Sequence, residues 1–200
     1  IKTGNVSDHF EDKTQGTYLS AANGNDDILE VDKLWYTFPV GDTLQVWVGP
    51  KIENYYMLAS APSIYKPATK QFALGGNGSG YGSSTSPGFG AAWTASVDDP
   101  SDARFAVSVN YTSKDGTDSS KGLNDDEARS FLLTKVEYGS PKWQVSAAMA
   151  NKKAPAGTAN GYDGYFHSAD ATGTTGDMTA YALRGYWKPD TTGSIPEVQL

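Results

Sequence analysis

The feature that most constrains the fold of this chain is a regular alternation of apolar and polar residues. In the segment Phe105 to Tyr111 the apolar residues fall at every second position, and Ala106, Ser108 and Asn110 fall between them. A period of two places successive side chains on opposite faces of a β-sheet. Helical periodicity is nearly absent from the sequence. The alternation recurs in segments 30–40, 43–50, 88–97, 103–113, 128–138, 142–151 and 177–188. The sequence therefore predicts an all-β fold of about eight antiparallel strands, each with one apolar face.

The lengths of the connections between these strands alternate. Short turns at 41–43, 98–101 and 139–141 are interleaved with long polar or Gly-rich loops at 4–27, 51–87, 114–127 and 151–176. Compact soluble domains seldom contain several long structureless loops, whereas outer-membrane barrels have short turns at one end and long loops at the other. Strands of about 9–11 residues also suit a tilted crossing of a bilayer. This pattern predicts an antiparallel transmembrane β-barrel with its loop mass at one end.

A soluble β-sandwich shares the alternation and remains an alternative, in the form of a secreted carbohydrate-binding protein or adhesin. The aromatic residues bear on the choice. Tyr138, Trp143, Trp187 and Phe38 lie near predicted strand ends, as in the aromatic girdle of a membrane barrel, although ordinary strand positions would also explain them.

Composition excludes several functional classes. Hydrophobic residues make up 38% of the chain and the mean hydropathy is -0.49, so a soluble core would be thin, yet 5 Trp, 12 Tyr and 7 Phe argue against disorder. A net charge of -7 leaves no basic surface for a nucleic acid. The sequence contains no run of about 18 apolar residues, so no transmembrane helix is predicted. The absence of cysteine excludes disulfides and thiolate metal sites.

No enzyme, cofactor or metal site is predicted. His9 and His167 both fall in long loops, and no catalytic motif accompanies them. The acidic groups at 26–27, 98–99 and 125–127 lack EF-hand spacing, so we interpret them as solvated loop charges. The Gly-rich stretch 75–82 lacks the spacing and the ending of a phosphate-binding loop.

Four sequence blocks carry a family resemblance: LWYTFPVGDTLQVWVGP at 34–50, GGNGSGYG at 75–82, PGFG at 87–90 and GYWKP at 185–189. With these blocks the chain resembles cyanobacterial outer-membrane porins, which are related to the carbohydrate-selective porins and are also labelled iron-uptake porins. The resemblance spans most of the chain. It implies a water-filled channel in the cell outer membrane, surrounded by lipid, for passive diffusion of inorganic ions, iron species or small carbohydrates.

The resemblance also implies partners and domain organisation. Such porins form homotrimers and carry an N-terminal surface-layer-homology domain that binds peptidoglycan or another cell-wall polymer. On this basis residues 1–200 would be part of one porin barrel domain. Neither the anchoring domain nor the closing C-terminal strands would lie in this sequence, so Ile1 would fall within the barrel and Leu200 before its end.

If the apolar faces of the strands meet lipid, the opposite faces line the lumen. The predicted pore-lining residues are Lys135, Glu137, Arg184, Asn110 and Gln144. The loop 51–87 begins with more apolar residues than an exposed loop requires. It either folds into the lumen as a constriction or packs over the barrel mouth, and the sequence does not choose between these. The candidate constriction residues are Tyr55, Tyr56, Tyr65, Lys66 and Lys70.

Overall fold

The computed structural model describes residues 2–4, 26–65, 74–82, 85–154, 177–190 and 196–200. Strands dominate these residues, with one short helix, α1 (Gly78–Tyr81), and one 3₁₀ turn at Asn54–Tyr56. The predicted all-β class is confirmed. The strands are β1 (Lys2–Gly4), β2 (Asp26–Glu30), β3 (Leu34–Val40), β4 (Leu44–Ile52), β5 (Ser86–Thr94), β6 (Arg104–Ser113), β7 (Ser130–Ser140), β8 (Trp143–Lys153), β9 (Met178–Trp187) and β10 (Val198–Gln199).

Strands β3 to β10 form one eight-stranded antiparallel sheet in which every strand pairs with its neighbours in the chain. Strands β1 and β2 form a separate two-stranded sheet. Within the described residues the large sheet is open, with β3 at one edge and β10 at the other. The topology is therefore a simple meander, the arrangement that alternating short and long connections produce.

The register of the central strands aligns side chains in rows across the sheet. Glu137 on β7 is opposite Ala106 on β6 and opposite Ser146 on β8, and Ser146 is opposite Arg184 on β9. Because this register continues without a bulge from β5 to β9, a residue two positions along one strand begins the next row on the same face.

Two predicted boundaries are wrong. The segment predicted as one strand at 30–40 is divided, because Asp26–Glu30 pairs with β1 and residues 31–33 separate it from β3. The connection between β5 and β6 covers residues 95–103 and is longer than the predicted turn at 98–101. Its centre is held locally, since the Asp99 carboxylate accepts hydrogen bonds from the backbone N–H and the hydroxyl of Ser101, both at 2.8 Å.

The two faces of the large sheet have a burial pattern opposite to that of a soluble sheet. The apolar face is exposed, with Leu183 84%, Tyr181 70% and Phe105 54% accessible. The polar face is covered, and Lys135 is 0% and Asn110 1% accessible. Half-buried sheets of soluble proteins place the apolar face inside.

The polar face is covered by part of the loop between β4 and β5. We refer to residues 53–65 and 74–82 as the covering segment. Its apolar side chains Leu58, Leu74 and Tyr81 pack against the sheet and form a small core at the long-loop end. The sheet contributes Phe131, Leu133, Ala148, Ala150 and Ala182 to that core. In the described residues, neither helical element is long and apolar enough to cross a membrane.

Candidate functional site

The covering segment is fixed to the sheet at Asn54, which is fully buried. The Asn54 amide nitrogen donates to Asn110 Oδ1 at 2.7 Å and to the carbonyl of Phe131 at 3.2 Å. Its oxygen accepts a hydrogen bond from Thr112 Oγ1 at 2.6 Å. The amide of Asn110 in turn donates to the carbonyl of Met57 at 3.0 Å. This network satisfies buried polar groups that would otherwise be costly, so it holds the start of the segment on β6 and β7.

A second attachment centres on Ser60. The Ser60 hydroxyl donates to Glu137 Oε2 at 2.7 Å, and Lys135 Nζ donates to the Ser60 carbonyl at 3.0 Å. Lys135 and Glu137 also form an ion pair and are both buried. Beside them the backbone N–H of Ala59 donates to Ser108 Oγ at 2.9 Å. The charges at the middle of the polar face are therefore compensated by each other and by the covering segment.

The covering segment continues to the far edge of the sheet. The backbone N–H of Ile64 donates to Gln199 Oε1 on β10 at 2.8 Å. Its second part returns over β9 and β8, where Asn77 Nδ2 donates to the carbonyl of Tyr181 at 3.0 Å and Lys152 Nζ to that of Gly82 at 2.9 Å. In the described residues, the loop 51–87 thus lies along the polar face from β6 to β10.

All five predicted pore-lining residues lie on the polar face. Asn110, Lys135, Glu137 and Arg184 are buried, and Gln144 is half-buried. The predicted constriction residues are distributed differently. Tyr56 and Tyr65 are exposed, Tyr55 is half-buried, and Lys66 and Lys70 lie outside the described residues. The side chains that the segment buries are instead its aliphatic ones and Tyr81, among them Met57 and Leu58.

The exposed Tyr56 is held by contacts with the β3 side of the sheet. Its ring stacks on Trp35 with centroids 5.5 Å apart, and Lys33 Nζ lies 5.6 Å from the ring centroid. The neighbouring Tyr55 is screened from solvent, and this burial, assisted by the nearby Glu53 carboxylate, raises the pKa of its hydroxyl. Tyr55 is therefore a neutral hydrogen-bonding group at physiological pH.

Charged residues concentrate at the short-turn end of the polar face. One row across β6 to β9 contains Arg104, Gly139, Gln144 and Tyr186, and the next contains Ala106, Glu137, Ser146 and Arg184. Arg184 Nη1 donates to Gln144 Oε1 at 3.3 Å, and its guanidinium carbon lies 5.3 Å from the Tyr186 ring centroid. Tyr81 approaches this group from the covering segment. Burial raises the pKa of its hydroxyl to about 12, an effect that the positive charge of Arg184 opposes.

Several residues of this surface were not predicted. Arg104 has the same alternation phase as Asn110, so the period of two contained the signal that places it on the polar face. Asn54 and Ser60 are loop residues with no periodicity. Only the folded position of the covering segment identifies them.

Catalysis or metal binding would depend on the His residues, the acidic groups and the Gly-rich stretch of the sequence. His9 and His167 lie outside the described residues. Among the described residues, no group of three or more acidic or His side chains could hold a metal ion. The acidic loop residues there support turns instead, as where Asp125 Oδ1 accepts the backbone N–H of Glu127 at 2.8 Å. The Gly-rich stretch contains the single turn α1, whose preceding Asn77 caps the Gly80 N–H at 2.7 Å.

These features define an all-β protein built on one eight-stranded antiparallel meander with an exposed apolar face and a covered polar face. No family model, curated protein or solved structure matches the chain.

Proposed function

We propose that this chain forms part of the wall of a transmembrane β-barrel in the cell outer membrane, an outer-membrane porin of the cyanobacterial type. The channel passes inorganic ions and small solutes by passive diffusion, and its candidate solutes include iron species and small carbohydrates. The observation that carries this proposal is the inverted burial of the sheet. An exposed apolar face suits a lipid contact, and a polar opposite face suits an aqueous lumen.

The arrangement of the exposed side chains supports a lipid contact. Aromatic residues lie towards both ends of the strands, with Tyr111 and Phe105 six residues apart on β6, which is about 20 Å of strand. Between them β6 carries Val107 and Val109, and Leu183 lies in the row of Val107, while Trp93 and Tyr181 add two rings to these middle rows. At the short-turn end the rings contact each other, with the Phe105 and Tyr138 centroids 4.4 Å apart. Two aromatic belts around an aliphatic band are typical of membrane barrels.

The covering segment supports a channel of restricted width. It lies on the face that the proposal assigns to the lumen and is tied there by buried and half-buried hydrogen bonds. A segment in this position narrows the passage, so solute size would limit what passes.

The secreted β-sandwich lectin or adhesin has less support. A sandwich would bury the apolar faces of the strands against a second sheet. In the described part of the chain, the large sheet leaves that face exposed and covers the polar one.

The test combines two measurements on the protein purified in detergent. A folded barrel should migrate differently in SDS gels before and after boiling, and it should produce discrete conductance steps in planar bilayers. Chemical cross-linking of the unboiled protein tests the homotrimer. A protein that is soluble without detergent and forms no channels would contradict the proposal.

A further inference from the structure

A cavity of about 220 Å³ opens on the polar face at the short-turn end of the sheet, beneath Ala59 and Ser60. It lies where the rows of Arg104 and Glu137 meet the covering segment. The residues that matter for its chemistry are Ser60, Arg104, Glu137, Ser140, Gln144 and Tyr186.

Arg104 is the unusual member of this lining. It is half-buried at the start of β6, and its guanidinium has no hydrogen-bond or ion-pair partner among the described residues. The Gln144 side chain is similar in one respect, since its oxygen accepts from Arg184 while its amide nitrogen has no partner in the described part of the chain. Both groups are donors, and both line the cavity. A guanidinium fork suits the oxygens of a phosphate or carboxylate.

The charges around the cavity favour an anion. Glu137 is the carboxylate in the lining, and its charge is compensated by buried Lys135 and by the Ser60 hydroxyl. Two further cations lie beside Tyr186. Lys188 Nζ is 5.6 Å from the ring centroid, and the guanidinium carbon of Arg184 is 5.3 Å from it. A local excess of positive charge therefore occurs in a chain with a net charge of -7.

Two buried polar atoms in the next row of the sheet also lack hydrogen-bond acceptors. Arg184 Nε and Ser146 Oγ are buried and have no partner in the described residues. Both side chains are more than nine-tenths buried and occupy the row adjacent to Arg104 and Gln144. Buried donors without acceptors are costly, so this end of the polar face is electrostatically poised for a negatively charged group.

We propose that the cavity is a binding site for a small oxyanion, in which Arg104 and the Gln144 amide hold the oxygens of a phosphate or carboxylate group. The inference rests on the proposed channel function and extends it, because it makes small anions a preferred class of solute and gives their passage a saturable step. Ser60 brings the covering segment to the site, so the same loop that narrows the passage also forms the roof of the cavity.

The experiment uses inorganic phosphate as the probe. Single-channel current carried by KCl is recorded while phosphate is added, with wild-type protein and the variant Arg104→Gln, whose heat-modifiable migration is checked first. We expect phosphate to reduce the wild-type current saturably. The variant should need about tenfold more phosphate for half-reduction, because a charge-assisted hydrogen-bond pair is lost. The matched control Lys153→Gln removes an exposed cation at the opposite end of β8 and should behave as wild type.

Two results would overturn the site. One is a wild-type current that phosphate leaves unchanged, and the other is an equal phosphate response in wild type and Arg104→Gln. If the protein forms no channels, the porin proposal fails separately. The site is then decided by calorimetric titration of phosphate into the detergent-solubilised protein. Binding that weakens about tenfold in Arg104→Gln supports the site, and absence of binding to the wild type rejects it.

Discussion

The Lys135–Glu137 pair shows how single charges are accommodated on the polar face. Lys135 is fully buried, and its ammonium contacts the Glu137 carboxylate and two oxygens of Ser60. Removing one partner of a buried pair leaves the other charge uncompensated, which is strongly destabilising. We therefore expect the loss of one partner to lower the free energy of unfolding by more than the intact pair contributes to it.

Replacing Lys135 with Met should lower the free energy of unfolding by about 3–5 kcal/mol, because Glu137 then stays buried without a countercharge. The double variant Lys135→Met/Glu137→Gln should lose less than this single variant. Urea unfolding of the protein in lipid vesicles measures both. Lys153→Met, which alters an exposed lysine on the neighbouring strand, is the control and should shift stability by less than about 0.5 kcal/mol. Equal losses in the single and double variants would argue against a coupled pair.

A second ion pair lies in the loop between β6 and β7. Asp115 accepts hydrogen bonds from the backbone N–H and the side chain of Arg129, and these hold the pKa of its carboxyl at about 2, below its ordinary value of 3.8. A carboxyl whose pKa is lowered by folding stabilises the folded state above its unfolded pKa. That contribution is lost as the pH falls through the folded value.

The loop should therefore lose stability between about pH 4 and pH 2, and Asp115→Asn should remove this pH dependence at a cost of about 1 kcal/mol at neutral pH. Protection factors from hydrogen exchange of the amides in 114–129, which correct for the intrinsic pH dependence of exchange, measure the effect locally across this pH range. Asp126→Asn, an exposed residue of the same loop, serves as control and should leave the exchange profile unchanged. A wild-type profile that is flat across this pH range would contradict the assignment.

At the scale of elements, the covering segment is the part of the fold with the clearest expected effect on transport. Deleting residues 60–80 removes the contact of Ser60 with Glu137 and the hydrogen bond of Ile64 to β10. It also removes the chain that places Tyr81 against the sheet. Single-channel conductance should rise, because most of the covering segment no longer occupies the polar face. Shortening the loop 114–127 is the comparison, and we expect it to change conductance little. Unchanged conductance after the first deletion would show that the segment does not restrict the passage.

The strands were predictable from sequence, whereas the position of the loop was not. Alternation assigned Phe105 and Val107 to one face and Asn110 to the other without knowledge of their surroundings, because side-chain direction in a strand depends only on the backbone period. The attachment of Asn54 to Asn110 depends on contacts 56 residues apart in the chain. No local pattern encodes such a contact, so the sequence left lumen and mouth as equal possibilities for the loop.

At the scale of the whole molecule, a substitution on the exposed apolar face can distinguish a sheet in contact with lipid from a sheet in contact with water. Leu183 lies near the middle of β9 and is 84% accessible. An arginine there would change the stability of a soluble protein by less than about 0.5 kcal/mol. On the lipid side of a barrel the same change costs about 2–4 kcal/mol.

Leu183→Arg should therefore reduce folding into lipid vesicles by that larger amount, measured as the fraction of heat-modifiable protein across a urea series. Thr117→Arg introduces the same charge in an exposed turn and should fold as wild type. Equal folding of the two variants would place the apolar face in water.

The crossing of the covering segment over the polar face also has a mechanical consequence. Its hydrogen bonds join β6 at Asn110 to β10 at Gln199 through the eleven residues from 54 to 64. Because the chain between these two ties has a fixed number of residues, it limits how far apart β6 and β10 can lie. Inserting or removing residues between the two ties would change the distance that they can span, so in the proposed channel the length of one loop would help to determine the bore.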